Sequence, residues 1–297
     1  MLGIVGTVPD NDFGLAEGPV TLEHGHLVLN GRSVPIHRGT PALMGAAIQT
    51  LSVFGRDHVT GFLAGDTGKG HGSRQLYDYL VTAASLSGIH TLVFHYLQPD
   101  TDWHNRVLFR LQDLENKPIL IADAGFMYAA KMSGAAPSYD LFTPDAGELA
   151  FLADETAPHP FYTRGFILHT DNPVSELVDR AYAHDNAARY LLVKGAVDHV
   201  MNKQGELSRV DGPSHEAMEA IGGTGDTLTG IVSALISTGM AIPDAAFAAA
   251  RANRMAGQFS SPTPGTGINE IISHIPRAVD FVLNQTPGGP LKSSPSV

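Results

Sequence analysis

The sequence predicts one α/β domain with a mostly parallel central sheet, helices on both faces and a small N-terminal β-hairpin. Short apolar segments alternate with helical patterns, turn residues separate them, and 43% of the 297 residues are hydrophobic. The alternation is typical of βαβ units, and this apolar content is sufficient for a large core. We expect the domain to span residues 1–285, and the segment 286–297, rich in Pro, Gly and Ser, to be a disordered tail.

Local signals place the elements in chain order. The apolar residues 27–29 precede Asn30-Gly31, which predicts a hairpin within residues 19–36. Thr40-Pro41 has the pattern of a helix start and predicts a helix to residue 54. Further strands are predicted at 59–64, 91–96, 118–123, 139–143 and 190–193, a hairpin turn near 202–205, and helices from 73 and 145 and near 101–116, 226–237, 244–258 and 268–283.

The composition favours a small-molecule partner. The net charge is −11, from 30 acidic and 19 basic residues without a long run of either sign, which argues against a nucleic-acid or anionic-membrane surface. Residues 1–9 lack the pattern of a signal peptide, and no segment has the length and apolarity of a membrane span. We therefore expect a cytoplasmic protein without nucleic-acid or membrane partners.

Cysteine-based and helix-borne histidine metal sites are not predicted. The chain has no cysteine, so a disulfide framework, a thiolate nucleophile and a cysteine metal site are excluded. Its 14 histidines include no H-x-x-x-H or H-E-x-x-H pair on one predicted helix, the spacing that suggests zinc. No residue is therefore predicted to be a metal ligand.

The glycine-rich turn at residues 222–226 is the strongest candidate for a catalytic centre. Gly222, Gly223 and Gly225 precede an apolar helix, and glycines at a helix start allow backbone N–H groups to converge on phosphate oxygens. Asp226 has two interpretations at this position. It is either the base that takes a proton from an acceptor hydroxyl during phosphoryl transfer, or a residue that caps the helix.

Two other irregular segments have open roles. The glycine-rich residues 65–72 follow a predicted strand, but their spacing matches neither a P-loop nor the dinucleotide pattern G-x-G-x-x-G. They form either a loop near the substrate or a solvent-exposed loop. The insertion at 154–165 is a candidate lid or contact between subunits, and we expect a homo-oligomer.

Four segments, taken in order, resemble the ribokinase-like superfamily and, within it, the ADP/ATP-dependent NAD(P)H-hydrate dehydratases. Residues 122–124 are similar to that family's Asp-Ala-Asp segment, and 143–148 to its Thr-Pro-His-Pro-Gly-Glu segment. Residues 192–196 resemble its nucleotide-binding Lys-Gly segment, and 222–230 resemble Gly-Gly-Ser-Gly-Asp-Val-Leu-Ala-Gly. The match covers about residues 118–260, and a weaker similarity at 44–47 extends it over most of the chain.

The resemblance implies a three-layer ribokinase-like fold, ATP or ADP as phosphoryl donor, and Mg²⁺ on the nucleotide. It implies that hydrated NADH or NADPH is phosphorylated on its hydroxyl and that phosphate is then eliminated. Asp226 would be the catalytic base. The implied nucleotide-binding residues are Lys194, Gly195, Ala196, Val197, Asp198, Gly223, Thr224 and Gly225. The substrate-binding residues carried over or expected at strand ends are Ala46, His95, Asp123, Asp145 and Asp226.

The segments that would bind the acceptor depart from the family pattern. Asp145 replaces the family's substrate-contacting His, and residues 95–99 contain no glycine where the family has Gly-Pro-Gly-Leu-Gly. Larger side chains there are expected to crowd a backbone that must approach a bulky dinucleotide. A kinase for a sugar or a hydroxymethyl heterocycle is therefore the alternative function, and a non-catalytic nucleotide sensor is the alternative from another class.

Overall fold

A computed structural model describes residues 1–159 and 173–285 of the chain. The predicted tail at 286–297 and part of the 154–165 insertion lie outside the described residues. Within the described part, the strands are β1 Leu2–Val8, β2 Leu15–Glu23, β3 His26–Leu29, β4 Arg32–Pro35, β5 Val59–Gly65, β6 Thr91–His95, β7 Ile119–Ala122, β8 Leu141–Phe142, β9 Tyr190–Val193, β10 Asp198–Asn202 and β11 Gly205–Val210.

The α-helices complete the βαβ pattern and dominate the C-terminal part. They are α1 Thr40–Ser52, α2 His71–Thr82, α3 Thr101–Gln112, α4 Ala124–Met132, α5 Ala146–Ala153, α6 Val174–Ala183, α7 Ala217–Ala220, α8 Thr224–Ser237, α9 Ile242–Ser260, α10 Ile268–Ser273 and α11 Ile275–Gln285. None of these described helices combines the length and the apolarity that crossing a bilayer requires.

The described strands form one mixed sheet in the order β11-β10-β9-β8-β7-β6-β1-β5-β2-β3-β4. The central strands β5, β1, β6, β7, β8 and β9 pair in parallel, and antiparallel strands extend the sheet at both edges. The α/β class and the early hairpin are therefore confirmed. The hairpin strands β2 to β4 continue the main sheet through the pairing of β2 with β5.

Alternating side chains along the central strands fill two cores, one on each face of the sheet. On β1, Ile4 packs in the core with α1 and α8, whereas the next residue, Val5, packs in the core with α2 and α4. Successive residues of a strand point to opposite faces, so each strand contributes to both cores. This arrangement gives three layers, as the resemblance implied.

The structure corrects several predicted boundaries. No element was predicted within residues 1–9, yet β1 lies at the centre of the sheet and pairs with both β5 and β6. The predicted helix at 268–283 is two helices, separated at His274. The segment before the glycine turn, for which no element was predicted, contains the short helix α7, and α8 begins at Thr224 rather than at Asp226.

Candidate active site

The carboxyl ends of the parallel strands and the N-terminus of α8 enclose a cavity of about 540 Å³, as expected for an open α/β sheet. Most of the predicted site residues meet there although they are far apart in the sequence. The predicted residues on its wall are His95, Asp123, Asp145, Lys194, Gly195, Ala196, Asp198, Gly223, Thr224, Gly225 and Asp226.

The glycine turn presents backbone amides to this cavity. Gly223 precedes α8 with φ of 102°, a left-handed conformation that favours glycine. The N–H of Thr227 makes an α-helical hydrogen bond to the carbonyl of Gly223, at 2.9 Å. The amides of Thr224, Gly225 and Asp226 come before this first helical hydrogen bond, so they have no carbonyl partner within the helix. They are therefore available to an anion at the positive end of the helix.

Asp226 does not cap the helix. In the described structure α8 has no side-chain cap, and its N-cap is Gly223. The Asp226 carboxylate instead accepts hydrogen bonds at Oδ2 from the Gly39 amide (2.6 Å) and at Oδ1 from His95 Nε2 (3.1 Å). The capping interpretation is therefore wrong, because contacts from two other elements hold this carboxylate at the edge of the cavity.

The surroundings of Asp226 favour its ionised form. Burial alone raises the pKa of Asp226, but the hydrogen bond and charge of His95, the Gly39 amide and the Lys194 charge outweigh burial and lower this pKa below its ordinary value. The side chain is 12% exposed. Asp226 is thus a carboxylate that retains lone pairs for one more donor, such as an acceptor hydroxyl.

His95 supports Asp226 and offers little surface to a substrate. It is 1% exposed, and both ring nitrogens are engaged, Nε2 with Asp226 and Nδ1 with Thr40 Oγ1 at 3.0 Å. His95 was predicted to bind substrate. The structure places it on the cavity floor, where its hydrogen bonds position the carboxylate.

Lys194 and Asp123 form a buried ion pair beneath the glycine turn. Lys194 Nζ lies 3.0 and 3.1 Å from the two oxygens of Asp123, whose side chain is 2% exposed. Asp123 also accepts from Thr229 Oγ1 at 2.7 Å. Burial alone lowers the pKa of Lys194, but the charges of Asp123 and Glu148 outweigh burial and raise this pKa. The Lys194 ammonium nitrogen lies 3.7 Å from the position that a Cβ atom would take on Gly225. Its positive charge is therefore close to the backbone amides of the glycine turn.

Asp198 shapes the loop after β9. Its carboxylate accepts from the Gly195 amide at 3.1 Å and from Arg254 Nε at 2.8 Å. Arg254 also donates to the carbonyls of Gly195 and Ala196, both at 3.0 Å. Gly195 and Ala196 are exposed at the cavity, whereas Val197 is half-buried beside them. Asp198 therefore orders the segment predicted to bind nucleotide.

Ala46 is placed inside the core and not on the wall of the cavity. It is 0% exposed and lies 3.0 Å from the position that a Cβ atom would take on Gly230, while the Leu43 carbonyl oxygen would lie only 2.2 Å away. Helix α1 therefore packs closely against α8 at this point. Gly230, the last glycine of the motif, thus permits helix packing that sets the position of Asp226.

Asp145 and Glu148 cap α5 and face the same cavity. The Asp145 carboxylate accepts from the Glu148 amide, and the Glu148 carboxylate accepts from the Asp145 amide, each at 2.8 Å. Burial raises the pKa of Glu148, and nearby Asp123 and Asp145 oppose the lowering effect of Lys194. Capping-box spacing was visible in the sequence, but the contribution of Glu148 to the cavity required the fold.

A second cavity of about 940 Å³ adjoins the first and shares Tyr96, Ala124 and Glu148 with it. The glycine-rich segment 65–72 contributes to its wall. Asp66 accepts hydrogen bonds from the amides of Gly68, Lys69 and Gly70 at 2.9–3.0 Å. This loop therefore encloses its own carboxylate rather than offering those amides to a phosphate.

Tyr96 stands between the two cavities. Its φ of 50° lies in the left-handed region, which is uncommon for a bulky residue. The ring is 49% exposed and contacts His95 edge-on, with centroids 4.3 Å apart. Burial, followed by the charges of Asp226 and Asp123, raises the pKa of Tyr96 to about 12. The backbone thus keeps a conformation suited to glycine, while the side chain narrows the junction between the cavities.

Several residues of the site were not predicted from the sequence. They include Gly39 and Thr40 at the start of α1, Tyr96, Glu148, Thr229 and the pair Asn253 and Arg254 on α9. Asn253 accepts from Thr227 Oγ1 at 2.7 Å and donates to the Thr224 carbonyl at 3.0 Å. These bonds fix the first turn of α8.

Solved structures with the same fold support the topology. A ribokinase-like superfamily protein from Enterococcus faecalis has a TM-score of 0.54 and 13% identity, covering 95% of this chain and 87% of that one. Pyridoxal kinase from Staphylococcus aureus in complex with ADP has a TM-score of 0.54 and 13% identity, covering 86% and 87%. At this identity the likeness shows the fold.

Sequence comparison shows the family. An uncharacterized protein of Methanocaldococcus jannaschii is 39% identical over 242 residues, which cover 81% of this chain and 100% of that protein. A family model described as NAD(P)H-hydrate dehydratase matches residues 98–277, more than half of the chain and most of the cavity wall described above. The chain therefore belongs to the NAD(P)H-hydrate dehydratase family, and it has the fold of the ribokinase-like protein from Enterococcus faecalis.

Proposed function

We propose that this protein transfers a phosphoryl group from ATP or ADP to the hydroxyl of a small metabolite, with hydrated NADH or NADPH as the acceptor. The observation that carries the proposal is the position of Asp226, which lies at the N-terminus of α8 and borders the first cavity. Its partner Gly39 lines the second cavity. A donor in the first cavity and an acceptor in the second would meet at this carboxylate.

The first cavity suits the phosphates of the nucleotide. The amides of residues 224–226 would bind the phosphoryl oxygens, and Lys194 would add positive charge from below. The exposed backbone of Gly195 and Ala196, which Arg254 holds in place, would lie along the nucleotide. These contacts stabilise charge on the transferred group, the main requirement of phosphoryl transfer.

The donor set of the first cavity fits Mg²⁺ on a nucleotide. Asp145 and Glu148 supply carboxylate oxygens on its wall, and Mg²⁺ is commonly bound by one or two carboxylates together with phosphates and water. Among residues 1–159 and 173–285, no cluster of three or more His, Cys, Asp or Glu side chains forms a dedicated metal site. Mg²⁺ would neutralise negative charge on the phosphates when bound.

Asp226 would orient the acceptor hydroxyl and receive its proton. The oxygen–phosphorus bond to the acceptor forms as the bond to the leaving nucleotide oxygen breaks, and the hydroxyl proton passes to Asp226. Its low pKa is compatible with this role, because the loose transition state makes positioning and electrostatics dominant. For hydrated NADH, loss of phosphate from the ring and of a proton from the neighbouring carbon would restore the dihydronicotinamide.

A kinase acting on a smaller alcohol is the second candidate. It is favoured by Tyr96, whose exposed ring stands at the junction of the cavities where the family pattern has glycines. Pyridoxal kinase and phosphofructokinase-2 also share the fold. On this alternative, Asp226 and the glycine turn keep the same roles and only the acceptor differs.

An acceptor panel tests the proposal. The enzyme is incubated with Mg²⁺ and either ATP or ADP, and the absorbance of the restored ring is followed with hydrated NADH and hydrated NADPH. Parallel reactions with pyridoxal and fructose measure nucleotide consumption. Nucleotide-dependent recovery of the ring is expected. Absence of recovery at every enzyme concentration eliminates the dehydratase, and turnover of the smaller alcohols alone supports the second candidate.

A further inference from the structure

We infer that Arg38 binds an anionic group of the acceptor, a phosphate or a carboxylate, in the second cavity. This inference rests on the proposed function, because it assigns the acceptor to the cavity beside Asp226. It goes further by identifying a specificity residue and the chemical class of group that it recognises.

Arg38 is adjacent to the catalytic carboxylate and lies between the glycine turn and the acceptor cavity, because its Cδ is 3.8 Å from the position that a Cβ atom would take on Gly222. It lines the second cavity and immediately precedes Gly39, whose amide donates to Asp226. Its backbone lies against the glycine turn, with Cα 3.3 Å from the position that a Cβ atom would take on Gly223. A group bound by this side chain would therefore hold the acceptor close to Asp226.

The Arg38 side chain is exposed, and among the described residues it has no hydrogen-bond or ion-pair partner. A guanidinium presents up to five N–H donors in a planar fork that matches phosphate and carboxylate oxygens. The first turn of α1, beside it, also contributes to the cavity wall through Thr40 and Pro41. This combination favours an anion.

The carboxylates on the described wall of the second cavity are already compensated. Asp66 accepts from the three loop amides and from the amide and hydroxyl of Ser73, at 3.0 and 3.1 Å. Glu148 accepts from the Asp145 amide at 2.8 Å and is attracted by the charge of Lys194. The Arg38 charge is consequently left for a ligand.

The rest of the described wall suits a mainly carbon body between hydroxyl and anion. Its apolar residues are Pro9, Pro41, Tyr96, Leu97, Pro99, Ala124 and Tyr128. Such a surface contacts a ring or a sugar by burial of apolar area. Arg38 then selects, among alcohols of similar size, those that carry negative charge.

Matched acceptors test the inference. Fructose and fructose 6-phosphate differ by a phosphate, and sorbitol and gluconate by a carboxylate. Hydrated NADH is paired with its hydrated ribonucleoside, which lacks phosphates. Arg38→Gln is expected to raise KM for the anionic member of a pair about tenfold or more relative to the neutral member. Arg74→Gln, which removes an exposed arginine on α2 outside the cavity wall, is expected to retain the parent preference.

An equal fall in kcat for neutral and anionic acceptors would overturn the inference, because it would place Arg38 on the transferred phosphoryl group. Binding provides a readout that does not need turnover. With a non-hydrolysable ATP analogue present, calorimetric titration with NADH or fructose 6-phosphate should give a Kd about tenfold or more weaker in Arg38→Gln than in Arg74→Gln. Equal affinities, or no binding of either anion to the parent protein, would refute the role of Arg38 even if another acceptor were phosphorylated.

Discussion

Removal of the Lys194 ammonium is expected to lower the free energy of unfolding, because the buried Asp123 carboxylate would lose its cationic partner. Lys194→Met removes two hydrogen bonds to Asp123, of 3.0 and 3.1 Å, from a side chain that is 2% exposed. Breaking a buried ion pair from one side typically costs ~3–5 kcal/mol. Because Asp123 keeps bonds from Thr229 Oγ1 at 2.7 Å and the Ala124 amide at 2.9 Å, we expect about 3 kcal/mol, at the lower end of that range.

Urea unfolding followed by circular dichroism measures this loss. The double variant Lys194→Met/Asp123→Asn should recover part of the free energy of unfolding, because the amide needs no compensating charge. The parent, the two single variants and the double variant together give the coupling energy between the two side chains. Lys203→Met, at an exposed position, is the control and should change stability by less than about 0.5 kcal/mol. A Lys194→Met loss no larger than that of the control, or no recovery in the double variant, would refute the buried-pair interpretation.

Two further substitutions test the positioning of Asp226. Gly230→Ala is expected to lower the free energy of unfolding by about 1–3 kcal/mol, because the new Cβ would lie 2.2 Å from the Leu43 carbonyl oxygen. Gly147→Ala, whose new Cβ would have its nearest contact at 3.5 Å, should be neutral or stabilising in the same urea unfolding assay. His95→Gln should raise the pKa of Asp226 by removing the interaction with His95 that lowers it, so the acid limb of the kcat/KM profile should move to higher pH. Equal stabilities of the two glycine variants, or an acid limb that stays in place or moves to lower pH, would contradict these predictions.

Much of the fold was predictable because hydrophobic periodicity is a local signal. The alternation of strands and helices, the early hairpin and the helix starting at Thr40 follow from short patterns. Strand β1, which has seven residues with six of them buried, was missed because a short apolar run does not by itself distinguish a strand from a buried helical segment. Its place at the centre of the sheet depends on pairing with β5 and β6, which are distant in sequence.

The candidate site was predictable where chemistry follows from a motif and not where it depends on packing. The glycine turn, Asp226, Lys194 and Asp123 meet as their motifs suggested. Ala46 lies in the core because α1 approaches α8 through Gly230, a contact that sequence spacing does not reveal. The single-domain organisation, the homo-oligomer and the cytoplasmic location stay predictions.

The proposed mechanism requires Asp226 to receive the acceptor proton beside an anion-binding turn. The most direct measurement is turnover and ATP affinity of Asp226→Asn, an isosteric change that removes the charge and the basicity. We predict a fall in kcat of about 10²–10⁴-fold with ATP affinity unchanged or higher, since a negative charge near the phosphates is lost. Turnover equal to that of the parent enzyme would exclude Asp226 as the base.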